Sequence, residues 1–107
     1  MVAAGQAALE AARQQTDLDA RQAWFNAQAA RKTLELYRET LVPQARARFE
    51  ASEAGYRAGQ ADFMDLLESE RFWLETRIMA VMAEGEAGVQ AARLARALGA
   101  GNDENAN

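Results

Sequence analysis

The sequence predicts an all-α fold, a long antiparallel coiled-coil hairpin of two helices. Strand signals are nearly absent: Gly and Pro number only 7 and 1 in 107 residues, and no short run alternates with β-branched residues. Alanine, the strongest helix former, is abundant throughout. Apolar residues recur at steps of three and four, the spacing of a coiled-coil seam.

The first helical segment takes in residues 1–57, with a helical pattern legible from residue 6. Leu34, Tyr37 and Leu41 share one face. Val42, Ala45, Phe49, Ser52 and Tyr56 then follow in three-four alternation. Pro43 lies between the two sets. Inside a helix it removes a backbone donor and disfavours helix at the residue before it. A kink or short break is expected there, the helix restarting with Pro43 in its first turn.

Residues 58–62 read as the hairpin turn. Gly59 is placed as a helix C-terminal glycine with positive φ. Asp62 reads as the N-cap of the next helix, with Asp65 a weak capping-box partner three residues on. The second helix is expected over residues 63–98. Leu67, Leu74, Val81, Gly88 and Ala95 fall at every seventh place, with Phe63, Glu70, Ile78, Gly85 and Ala92 close to that stripe. A second edge carries Leu66, Trp73, Ala80, Ala87 and Leu94. Two adjacent apolar edges call for a partner on each side, and so for a bundle or ring of helices. Gly85 and Gly88 each cost the helix roughly 1 kcal/mol relative to alanine and read as points of close helix approach. Gly99 reads as a stop, and residues 99–107, which lack an apolar anchor, are expected to be disordered.

Composition narrows the function. Half of the chain is hydrophobic, but much of that is alanine, which buries little area, so an isolated core would be thin. The net charge of −4, with no stretch both basic and aromatic, weighs against nucleic acid as a partner. The chain has neither cysteine nor histidine. That removes disulfides, thiolate chemistry, the commonest general base and the commonest zinc ligand. No enzyme activity, cofactor or metal site is expected. The start, MVAAGQAALEAARQQ, lacks the basic and apolar regions of a signal peptide, and no apolar run approaches the ~20 residues of a membrane-spanning helix.

Trp24 with Phe25, and Phe72 with Trp73, are neighbours along a helix and point about 100° apart. They read as packing residues rather than as walls of one aromatic pocket. Arg71 and Glu75 have ion-pair spacing on a solvated face.

The stretch from Leu41 to Gly99 resembles the end of the second repeat of TolC-type outer-membrane efflux proteins, most of all the branch serving metal- and drug-exporting tripartite pumps. The likeness rests on Leu-x-Pro-x-Ala at Leu41 to Ala45, Tyr-x-x-Gly at Tyr56 to Gly59, Asp-Leu-Leu at Asp65 to Leu67, and a long helix closing on Leu98-Gly99. Residues 6–40 fit the preceding helix only loosely. The resemblance implies a homotrimeric tube in the outer membrane, whose β-barrel has no counterpart in this chain. A periplasmic α-barrel continues that tube, and the hairpin would belong to it. The chain is then expected to be a C-terminal fragment, the product of an interrupted frame or a cut piece.

By the same resemblance, Tyr56, Arg57, Ala58, Gly59, Gln60 and Ala61 form a periplasmic tip that docks an adaptor (membrane fusion) protein and gates the tunnel. The inner-membrane pump is coupled through that adaptor, in tripartite efflux or type I secretion. Tyr56 is either a packed seam residue with its hydroxyl in solvent or a tie between neighbouring hairpins. Asp65 and Glu68, at i and i+3, read from the residues alone as a solvated face near a helix N-terminus. The resemblance makes them two stacked acidic rings at the pore constriction. Ala61 departs from family members that carry arginine there. An alternative remains in another class, a stand-alone soluble coiled-coil protein that dimerises into a four-helix bundle.

Overall fold

The computed structural model describes residues 2–106, with side chains over residues 3–100. The chain is all-α, and no strand occurs among the described residues. Helix α1 runs Val2–Leu36, a π-helical turn Tyr37–Leu41, helix α2 Val42–Arg57 and helix α3 Phe63–Ala106. No described helix is long and apolar enough to cross a membrane.

Two compact units are present: Arg31–Glu86, and the segment up to Ala30 together with that from Ala87 onward. The Arg31–Glu86 unit is an antiparallel helical hairpin. Its seam on the first side is Leu34, Tyr37, Leu41, Val42, Ala45, Phe49 and Ser52, and on α3 it is Leu66, Ser69, Trp73, Thr76, Ala80 and Ala83. The most buried members are small: Ala45 at 1 %, Ser69 at 0 % and Thr76 at 6 % exposure. Small side chains let two helices come close, and this is how an alanine-rich sequence forms a seam without large core residues. The two buried hydroxyls are satisfied within their own helix. Ser69 Oγ donates to the Leu66 carbonyl at 2.9 Å and Thr76 Oγ1 to that of Phe72 at 2.7 Å. Larger groups flank the small ones. Phe49 stacks on Trp73 with ring centroids 5.2 Å apart. Arg48 lies over the Phe72 ring at 5.4 Å, and Arg38 pairs with Glu84 across the hairpin at 3.2 Å.

In the other unit the half-buried positions include Thr16, Ala20, Ala23, Ala27 and Ala30 on α1, and Ala87, Gln90, Leu94 and Ala97 on α3, with Gln28 beside them. Steps of three and four again define the seam, here built mostly of alanine. The Trp24 and Phe25 rings meet edge to face at 5.1 Å, so these neighbours touch each other despite leaving the helix in different directions.

Several expectations change. The irregularity expected near Pro43 is a π turn just before it, and Pro43 occupies the first turn of α2, where its missing N–H is tolerated. Helix α3 does not stop at Gly99 but continues to Ala106, and Asn107 lies outside the described residues. A glycine stop needs positive φ, and Gly59 is the described glycine that adopts it; Gly99 stays helical. At Gly85 and Gly88 a Cβ would meet nothing within 4 Å, so neither marks a close approach within this chain. Of the two apolar edges of α3, the one through Leu66 and Trp73 is the seam. The other is exposed, at 41 % for Leu67, 52 % for Leu74 and 68 % for Val81.

Candidate functional site

The hairpin end is closed by backbone chemistry. The last turn of α2 leaves carbonyls without helical donors. Gln60 N–H donates to the Gly55 carbonyl at 2.8 Å and Gly59 N–H to that of Tyr56 at 3.0 Å, the paired bonds of a Schellman motif. Ala58 N–H closes on the Ala54 carbonyl at 3.1 Å. Ala61 N–H adds a second bond to Gly55, at 3.0 Å. The reversal needs a left-handed residue, and Gly59 supplies it with φ of +73°. Asp62 directly precedes α3, its carbonyl accepting from the Leu66 N–H at 3.3 Å.

Gly55 matters as much as Gly59. A Cβ on Gly55 would sit 3.1 Å from the Ala61 Cβ, so the chain returning from the turn lies directly on the bare α-carbon. The sequence reading missed this residue. Its signal was a glycine late in a helix, four residues before the turn glycine and six before an alanine.

The side chains sort into two groups. Tyr56 meets Phe63 across the turn, ring centroids 5.7 Å apart, yet stays 43 % exposed. Arg57 folds back along α2 to Glu53 at 2.9 Å, away from the acidic start of α3. Ala58, Gly59 and Gln60 are exposed and Ala61 is half-buried. The surface offered at the hairpin end is therefore Tyr56 to Gln60, on a frame fixed by Gly55 and Ala61.

Asp65 and Glu68 are exposed, each one residue ahead of a seam residue, Leu66 and Ser69. That places them about 100° around α3 from the seam. They share one face and do not touch the turn residues through any bond described above. Such a pair presents negative charge sideways from the hairpin, not from its end. Among the described residues no three of His, Cys, Asp and Glu come together as a group able to hold a metal ion. The arrangement is a turn closed by backbone bonds, with an acidic flank on α3.

The model of one protein family, described as outer membrane efflux protein, matches residues 2–100, nearly the whole chain. No curated protein and no solved structure matches it.

Proposed function

Because the chain belongs to the outer membrane efflux protein family, a family of export-channel components and not of enzymes, we propose that its hairpin is a periplasm-facing part of such a channel and docks an adaptor protein through its tip. The observation that carries this reading is the construction of the tip. An exposed Tyr56-to-Gln60 surface is held by four backbone bonds and one left-handed glycine, so it meets a partner without first being ordered. Bare backbone at Gly59 lets a partner's main chain come close.

In this reading the channel is a homotrimer, and the exposed α3 stripe of Leu67, Leu74 and Val81 is covered by neighbouring helices. Asp65 and Glu68 face the lumen, where threefold repetition makes two acidic rings that concentrate cations in the constriction. The inner-membrane pump acts on the channel only through the adaptor. With alanine at position 61, the tip contributes packing against Gly55 rather than a charged tie.

The test is cysteine crosslinking in the assembled channel. Gln60→Cys is expected to crosslink to cysteines at the hairpin tips of the cognate adaptor, and Arg71→Cys, on the flank of α3, is not. Absence of any crosslink from positions 57, 58 and 60 would overturn the docking role. Sedimentation separates the other class: a stable dimer of this chain that leaves the channel unaffected would favour a stand-alone four-helix bundle.

A further inference from the structure

The Arg31–Glu86 unit has a fault in its seam, and the fault is on one side only. On α3 the buried positions Leu66, Ser69, Trp73, Thr76, Ala80 and Ala83 alternate steps of three and four without interruption. On the facing side Leu34, Tyr37 and Leu41 keep the same alternation, which would continue at positions 44, 48 and 51. The seam set is instead Val42, Ala45, Phe49 and Ser52, one residue out of phase. One residue is about 100° of azimuth in an α-helix. An uninterrupted α-helix would set Leu41 and Val42 about 100° apart, yet both are half-buried.

The fault coincides with the π turn Tyr37–Leu41, where the Val42 N–H bonds to the Tyr37 carbonyl five residues back. A π turn takes up one extra residue while the helix axis carries on. Pro43 follows and has no N–H to give, so this stretch is also short of a donor. A groove of about 260 Å³, lined by Tyr37, Leu41, Phe72, Thr76 and Met79 among others, opens beside the turn, so packing against it is incomplete. The Arg38–Glu84 ion pair leaves from the turn itself and is exposed at both ends.

We propose that Tyr37–Leu41 is a hinge built into one side of the hairpin by a one-residue skip in its seam, and that the skip, not Pro43, holds it there. Extended hydrogen bonding, a missing donor and an unfilled groove all lower the local cost of opening, while α3 runs past as the intact side. The α2 limb and the tip can then flex about this point while both seams stay in register.

Amide hydrogen exchange on the full chain, read with thermal unfolding, tests this in four proteins. In the parent, amides of residues 38–42 are expected to exchange at least about tenfold faster than those of 34–36 and 45–49, a local difference of ~1.4 kcal/mol. Deleting Glu39, which is exposed, joins Leu34 and Tyr37 to Val42, Ala45 and Phe49 in unbroken steps of three and four. That deletion should abolish the fast zone and raise Tm. Pro43→Ala restores the donor but leaves the skip, so the fast zone should persist. Inserting an alanine after Ala47 instead adds a second skip, which puts Phe49 and Ser52 a further residue out of phase, and should lower Tm. The proposal is overturned if the parent has no fast zone, if the zone survives loss of Glu39, or if it vanishes in Pro43→Ala. It is equally overturned if deleting Glu39 lowers Tm or helicity as much as the insertion after Ala47.

Discussion

Replacing Gly59 with alanine adds one methyl group, and at Gly85 the same change adds the same methyl group with the opposite expected sign. At neither place would the new Cβ meet an atom within 4 Å, so no steric contact enters the comparison. Only the backbone differs. Gly59 has φ of +73°, where an L-residue is disfavoured by roughly 1–2 kcal/mol. Alanine also restricts the unfolded chain, which returns about 0.4–1 kcal/mol. The net loss for Gly59→Ala is therefore about 1 kcal/mol. Gly85 lies within α3, where alanine is favoured by roughly 1 kcal/mol. Both positions belong to the Arg31–Glu86 unit, so both changes report on the same packing. For a domain of this size each kcal/mol moves Tm by about 4–8 °C. Thermal unfolding followed by far-UV circular dichroism should then place Gly59→Ala below the parent and Gly85→Ala above it, some 8–16 °C apart. Equal shifts, or a stabilising Gly59→Ala, would refute the claim that the turn is closed by a left-handed glycine.

Gly55→Val should destabilise despite valine's better backbone entropy, because its Cβ would start 3.1 Å from the Ala61 Cβ and overpacking costs typically 1–3 kcal/mol; urea unfolding measures it. Phe49→Ala removes the stack on Trp73 from a half-buried site, an expected loss of roughly 2–3 kcal/mol, seen as a lower Tm and as altered Trp73 fluorescence in a Trp24→Phe background. A double-mutant cycle on Arg38 and Glu84 should give no more than about 1 kcal/mol, fading at high salt, since both side chains are more than half exposed. In the assembled channel, Asp65→Asn with Glu68→Gln should weaken block by divalent cations in single-channel recordings; unchanged block would remove both residues from the lumen.

The helical architecture was readable because its signals are periodic and local. Steps of three and four in Val42, Ala45, Phe49 and Ser52 mark the seam on one helix, and Leu66, Trp73 and Ala80 mark it on the other. Gly59 was readable because few residues tolerate positive φ. Gly55 was harder to see. Its role depends on where Ala61 returns after the turn, and no propensity of Gly55 itself encodes that. The π turn was legible in principle. Leu41 and Val42 are adjacent, and both fit a seam, in phases one residue apart. Pro43 drew the explanation to itself because a proline in a helix has a known local cost, whereas a phase fault appears only when both helices are read together. Gly99 misled for the reverse reason. Its sequence context fits a stop, but a glycine permits a left-handed turn without requiring one.

What the hairpin settles by itself and what it leaves to neighbours divide along α3. Its seam edge packs against the facing helix, apart from the groove beside the π turn, and its hydroxyls bond to their own helix. Its other edge, through Leu67, Leu74 and Val81, has large apolar groups and no cover in the chain. Asp65 and Glu68 stand beside the seam edge, both exposed. A charged pair near a helix start and an uncovered apolar stripe are each ordinary alone. In the proposed channel the two make a wall whose apolar side meets the next helix while its acidic side meets water. The tip needs no such context, because its shape is fixed by Gly55, Gly59 and Ala61. Substitutions at the tip should therefore register in the isolated chain, and those at Asp65 and Glu68 only in the assembled channel.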